Sequence, residues 1–107
     1  MQASNLPCRI QRKRTAGWVQ PDNTRYAGRP TQFGNPFDWK EVGRERAAEM
    51  YDQWLDGQLD HRFPDLTERR VRILQKISDL KGKTLSCWCQ EGEPCHGDVL
   101  LRRANAD

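Results

Sequence analysis

The stretch Thr84–Cys89, TLSCWC, constrains the fold of this chain more than any other. It is short and largely apolar, with Gly82 before it and the loop Gln90–Pro94 after it, the form of an interior strand. Helical patterns stand on both sides. Upstream, Asp65 or Thr67 can cap a helix whose apolar face is Val71, Leu74, Ile77 and Leu80. Gly82 then suits the left-handed turn that stops it. Downstream, a last helix is predicted to start near Cys95 and run through Val99, Leu100 and Leu101 to about Ala104. A strand entered from one helix and left into another calls for a βαβ-like layer.

The rest of the chain fits around that strand. Asp38 is a plausible N-cap, and Ala47, Met50, Tyr51, Trp54 and Leu55 then share one helical face up to the break between Gly57 and Pro64. The first third is rich in turn-formers, with short strands predicted at Arg9–Thr15 and Arg25–Gly28. The expected architecture is α/β: one small domain over residues 1–107, with a short mixed or parallel sheet flanked by about three helices. Residues 1–8 are expected to form a flexible N-terminal segment. Sheets of this type bind ligands at the carboxyl ends of their strands, here where Cys89 meets the loop Gln90–Pro94.

Composition narrows the function classes. At 107 residues the chain can bury one core. No run approaches the roughly eighteen apolar residues of a membrane span, so no membrane partner is expected. The opening MQASNLPCRIQRKR lacks the apolar middle of a secretory signal. A reducing, cytoplasmic setting is therefore expected, where neighbouring cysteines bind metal or do chemistry more often than they form disulfides. The net charge of +3 is modest, but it is concentrated: the first 35 residues carry six basic side chains against one acid, Asp22. Arg9, Arg12, Lys13 and Arg14 are therefore candidates for nucleic-acid phosphates, weighed evenly against a merely solvated basic strand.

Three of the four cysteines and one of the two histidines fall within Cys87–Asp98, CWCQEGEPCHGD. Strand alternation puts Cys87 and Cys89 on one face and Trp88 on the other, where it would pack under the helices. The five-residue loop can bring Cys95 and His96 back beside Cys89. At a helix start they would meet free backbone N–H groups and the positive end of the dipole, which lower a thiol pKa and attract anions. Three readings follow. Cys95 is a nucleophile or pocket-lining thiol, with His96 as acid or base, Asp98 as its orienter and Cys89 close by. Alternatively, Cys87, Cys89, Cys95 and His96 bind zinc, although Cys-x-Cys spacing and adjacent Cys-His ligands suit a tetrahedron poorly. Or the cysteines are simply small buried residues.

A second constellation is Tyr26–Phe37, YAGRPTQFGNPF. Gly28 and Gly34 permit tight turns and Pro30 and Pro36 stiffen them, so the loop is built to present something. Arg29 offers a planar fork for phosphate and Asn35 both a donor and an acceptor. Phe33 and Phe37 would either stack on a base or pin the loop to the core.

GRPTQFGNPF and CWCQEGEPCHGDVLL together resemble Domain of Unknown Function family 4326, a small family found in phages and bacteria, over about Arg9 to Asn105. RIQRKRTAGW, Arg9 to Trp18, is similar to members from actinobacteria and their phages. The resemblance implies that Arg29, Gly34, Asn35, Pro36, Phe37, Cys87, Trp88, Cys89, Cys95, His96 and Asp98 occupy signature positions, and it supplies no mechanism. The Cys-His pair before a helix is also similar to a family with a Cys-His-Arg signature, but Gly97 stands where that arginine would be.

The expected function is binding of a phosphate-bearing ligand, a nucleotide or a nucleic-acid end, by Arg29, Asn35, Phe37, Cys89 and His96. Its enzymatic form is a nucleotide-acting Cys/His site. The alternative is a non-enzymatic, zinc-stabilised module binding nucleic acid through Arg9–Arg14, or a host protein through Trp18, Trp39 or Trp54. Both turn on the two signature stretches, Tyr26–Phe37 and Cys87–Asp98, meeting at one site.

Overall fold

The computed structural model describes residues 8–29, 31–90 and 92–106. Its centre is a three-stranded parallel sheet in the order β1–β3–β2, with β1 at Arg9–Gln11, β2 at Thr24–Tyr26 and β3 at Thr84–Cys87. The helices are α1 (Trp39–Val42), α2 (Arg44–Leu55), α3 (Thr67–Lys76) and α4 (His96–Asn105). Short 3-10 turns lie at Pro64–Leu66 and Ile77–Leu80. This is the expected α/β class, with all strands parallel.

β3 is the interior strand. Leu85, Ser86 and Cys87 are all buried, as a parallel strand covered on both faces requires. The buried Ser86 hydroxyl donates to Gln20 Oε1 at 2.7 Å, so its polarity is satisfied. The core joins Tyr51, Trp54 and Leu55 of α2 to Ile73 of α3, Leu80, Leu85 and Leu100. Among the described residues, no helix is long and apolar enough to cross a membrane.

Several element boundaries differ from the sequence expectation, each for a local reason. β1 stops at Gln11 rather than Thr15 because β3 ends at Cys87, and Arg12 N–H makes the last ladder bond to Cys87 O at 2.7 Å. Trp88 therefore leaves the sheet instead of packing under helices, and is 41% exposed. The helix expected to run on from Asp38 is broken at Gly43, whose φ of +90° separates α1 from α2. The face expected on α3 is rotated: Ile73 is fully buried and Ile77 half-buried, whereas Val71 and Leu74 are exposed. Arg69 and Arg70 lie on the inward side with their heads paired, Arg69 Nη2 to Gly34 O and Arg70 to Asp60. Gly82 does take the left-handed conformation, at φ +79°. Trp54 is fully buried, so it offers nothing to a protein partner.

Of the N-terminal segment expected to be flexible, residues 1–7 lie outside the described residues. Cys8 is held: its carbonyl accepts Leu85 N–H at 2.8 Å.

Arg9 overturns its expected role. It was a candidate for nucleic acid, but its side chain is only 7% exposed. Its guanidinium bonds Asp98 Oδ1 at 2.8 Å and Glu93 O at 2.7 Å, and it reaches Gln90 O, Cys89 O and Cys87 Sγ at 3.4–3.5 Å. One side chain from β1 thus holds the end of β3, the following loop and the first turn of α4. Gly97 makes room for it, since a Cβ there would stand 3.0 Å from Arg9 Cδ.

Two predictions follow from these supports. Asp52 of α2 joins α4 through Arg103 and Arg102. Burial pushes its carboxyl up, but the two arginines outweigh this and hold it below its usual value of 3.8. The stability it contributes is therefore present above that value and is lost as pH falls through the lower folded-state pKa. Asp52→Asn should cost about 1 kcal/mol near neutral pH, discounted for its partial exposure, and flatten the acid limb of a Tm-against-pH curve. Unchanged stability would contradict the clamp. Arg9→Lys removes the forked donor and should cost about 2–3 kcal/mol in urea unfolding, with faster amide exchange across Cys89–Pro94. Wild-type exchange there would show that Arg9 does not hold the loop.

Candidate functional site

The two signature stretches meet. Tyr26, Gly28, Arg29, Asn35 and Phe37 from the front line one cavity with Cys87, Trp88, Cys89, Pro94, Cys95 and His96 from the back. Its volume is about 340 Å³. It lies at the carboxyl ends of β2 and β3, the position expected of a parallel sheet. His96 makes the closest link: its Nε2 lies 2.8 Å from Ala27 O. A carbonyl only accepts, so Nε2 carries the proton and the neutral ring keeps its lone pair on Nδ1. Burial lowers the His96 pKa, partly opposed by the Ala27 carbonyl, and the ring packs edge-on to Tyr51 at 5.2 Å.

The front loop is pinned from inside. Gly34 is needed for close approach rather than for an unusual φ, because a Cβ there would meet Arg29 Cγ at 2.9 Å and Arg29 Cα at 3.2 Å. Asn35 spends both arms on the backbone, Nδ2 donating to Ala47 O and Oδ1 accepting Phe37 N–H. Its side chain sets the turn with one donor and one acceptor position, half of what its amide offers. Phe37 is buried against Trp54 and Phe63 at 5.9 and 5.1 Å, and Phe33 is 2% exposed, so both rings anchor the loop. Arg29 is exposed, and its Nε and Nη2 hold Asn35 O at 3.0 and 2.7 Å, which leaves Nη1 at the cavity.

The sulfurs gather on the opposite wall. The Sγ atoms of Cys87, Cys89 and Cys95 lie within 4.8 Å of one another, with Cys87 to Cys95 at 3.4 Å. His96 is not part of that set, although Nδ1 is 3.7 Å from Cys95 Sγ. Cys95 is the N-cap of α4, in extended conformation, and its sulfur accepts Gly97 N–H at 3.4 Å. Thiol donors from Cys89 and Cys95, helped by Arg9 and opposed by burial, drive the Cys87 pKa far down. That charge in turn pushes the Cys89 and Cys95 thiols up. The three thiols therefore titrate as one coupled set, in which ionising the first makes the next harder to ionise.

Asp98 stands apart. Its carboxylate pairs with Arg9 on another face, and the His96 nitrogens face Ala27 O and Cys95 Sγ instead. Arg12 lies half-buried over the Tyr26 ring at 4.5 Å, and Arg14 covers Trp88 at 4.4 Å. Of the four basic residues expected to face nucleic acid, only Lys13 and Arg14 are exposed.

The sequence reading missed Arg44. The first residue of α2, it stacks on Trp39 at 3.8 Å, pairs with Glu93 at 3.0 Å and points Nη1 at Cys89 Sγ at 3.8 Å. Gly43 just before it was the available signal: a glycine inside a helical pattern marks a new helix start that can aim a side chain. Lys40, Trp39 and Trp88 also line the cavity; the two tryptophans are 44% and 41% exposed.

Among curated proteins and solved structures, none matches the chain. A family model described as Domain of unknown function (DUF4326) matches residues 10–106, nearly the whole sequence and both cavity-forming stretches. The chain therefore belongs to that family.

Proposed function

We propose that the cavity binds a small phosphate-bearing ligand, a nucleotide or the end of a nucleic-acid strand. The observation that carries this is its lining: two half-exposed tryptophans beside three cations, Arg29, Lys40 and Arg44. Among the described lining residues the one carboxylate, Asp38, is committed to capping α1 by accepting Lys40 N–H. Cations suit phosphate oxygens, and a base stacked on an indole gains about 1–3 kcal/mol. The cavity volume is within the roughly 300–1,000 Å³ of small-molecule sites. Hydrolysis or transfer on the nucleotide is the enzymatic form of this proposal. It would draw on Cys95 and His96 at the cavity wall, with a proton to be removed from Cys95 first.

The test is a thermal shift of the full chain with nucleoside mono-, di- and triphosphates and inorganic pyrophosphate, followed by product analysis of any binder. At a hundredfold excess over Kd, a binder adds about 2.7 kcal/mol, a midpoint rise on the order of 10 °C for a domain of this size. The rise should shrink as salt increases, and Trp39→Ala with Trp88→Ala should remove the advantage of nucleotides over pyrophosphate. No rise with any member at millimolar concentration would overturn the proposal.

A further inference from the structure

We propose that Cys87, Cys89 and Cys95 form a three-thiolate metal site, suited to zinc, whose fourth coordination position opens into the cavity. A tetrahedral zinc ion with Zn–S bonds of about 2.3 Å sets its sulfurs about 3.8 Å apart. The observed trio, at 3.4 Å between Cys87 and Cys95 and within 4.8 Å throughout, needs only small side-chain adjustments to reach that geometry. Thiolate donors select zinc or another soft ion over magnesium or calcium.

The surroundings supply a second, independent argument. Each sulfur has its own N–H donor from a different element: Arg9 Nη1 for Cys87, Arg44 Nη1 for Cys89 and Gly97 N–H for Cys95. Donors of this kind orient coordinated thiolates and spread their charge. Three thiolates and one Zn²⁺ sum to −1, and the Arg9 and Arg44 guanidiniums, which also pair with Asp98 and Glu93, lie beside them.

The open position follows from His96. Its Nε2 is bonded to Ala27 O, and the ring falls outside the set of mutually close donors. The closed Cys₃His site is therefore not assembled. Three protein ligands with a vacant fourth place are the pattern of metal sites that take water or substrate, and here that place faces the tryptophans and cations lining the cavity. Binding would displace the thiol protons to solvent, so Cys95 would serve as a ligand in the metal-loaded chain, and the enzymatic use of Cys95 proposed above would belong to the metal-free chain alone.

The test uses the full chain, reduced, stripped of metal and titrated with Co²⁺ alone, with Zn²⁺ displacement to follow. We expect one equivalent to produce a sulfur-to-cobalt charge-transfer band and tetrahedral visible bands, bleached by one equivalent of Zn²⁺. Cys89→Ser should weaken binding at least tenfold with helical circular dichroism retained, and His96→Gln should leave affinity within about twofold. Absence of the charge-transfer band in the wild-type chain overturns the site without reference to any variant. Undiminished affinity in Cys89→Ser overturns the three-sulfur set, and a tenfold loss in His96→Gln overturns the open position. No nucleotide is present, so failure here leaves the phosphate-ligand proposal standing.

Discussion

The Arg9 guanidinium is the contact on which the rest of the site depends. A single side chain from the edge strand β1 reaches the end of β3, three carbonyls of the following loop and the first turn of α4. Without it those partly exposed carbonyls would lose this donor, a cost of about 1 kcal/mol each. The Cys87–Glu93 loop therefore keeps its path because a cation from another part of the chain satisfies it. That path brings Cys89 and Cys95 back to Cys87. The planar fork of donors explains the choice of arginine over lysine, and its charge adds a further effect. The same group that binds carbonyls also lies 3.5 Å from Cys87 Sγ and favours negative charge there.

The opposite wall is held by backbone bonds of comparable economy. Asn35 ties the loop to α2 through Ala47 O, Tyr51 Oη donates to Phe33 O at 2.8 Å, and Arg69 of α3 caps Gly34 O. His96 bridges the walls through Ala27 O. The polar side chains of both signature stretches are thus mostly consumed in building the cavity. What remains free to meet a ligand is Arg29 and Trp88 from those stretches, joined by Trp39 and Lys40 of α1 and Arg44 at the start of α2.

That division explains what could be seen in the sequence. The meeting of the two stretches was the premise of the functional reading. The α/β class, the interior strand and α4 starting at the Cys-His pair all followed from hydrophobic period and turn chemistry, which are local signals. The rotation of α3 did not, because Val71 and Leu74 satisfy the helical period as well as Ile73 and Ile77 do. Only tertiary packing, with Arg69 and Arg70 paired inward, selects between them. Arg9 was misread for the same reason. A basic residue in a basic run looks solvated until its carbonyl partners, some eighty residues away, are known. Asn35 and Phe37 line the cavity and also build its wall, work the residue types alone do not reveal, since a side chain that can meet a ligand can equally bind the backbone or pack in the core.

The account stands on one site being shared by both stretches and by the two exposed indoles. A two-dimensional ¹H–¹⁵N titration of the full chain with the tightest-binding nucleotide measures this directly. The account predicts that the Trp39 and Trp88 indole N–H signals move in step with the backbone amides of Gly28, Arg29, Cys89 and His96, while the buried Trp54 indole stays in place. Shifts confined to one stretch, or clustered on α3 and the far end of α4, would contradict it.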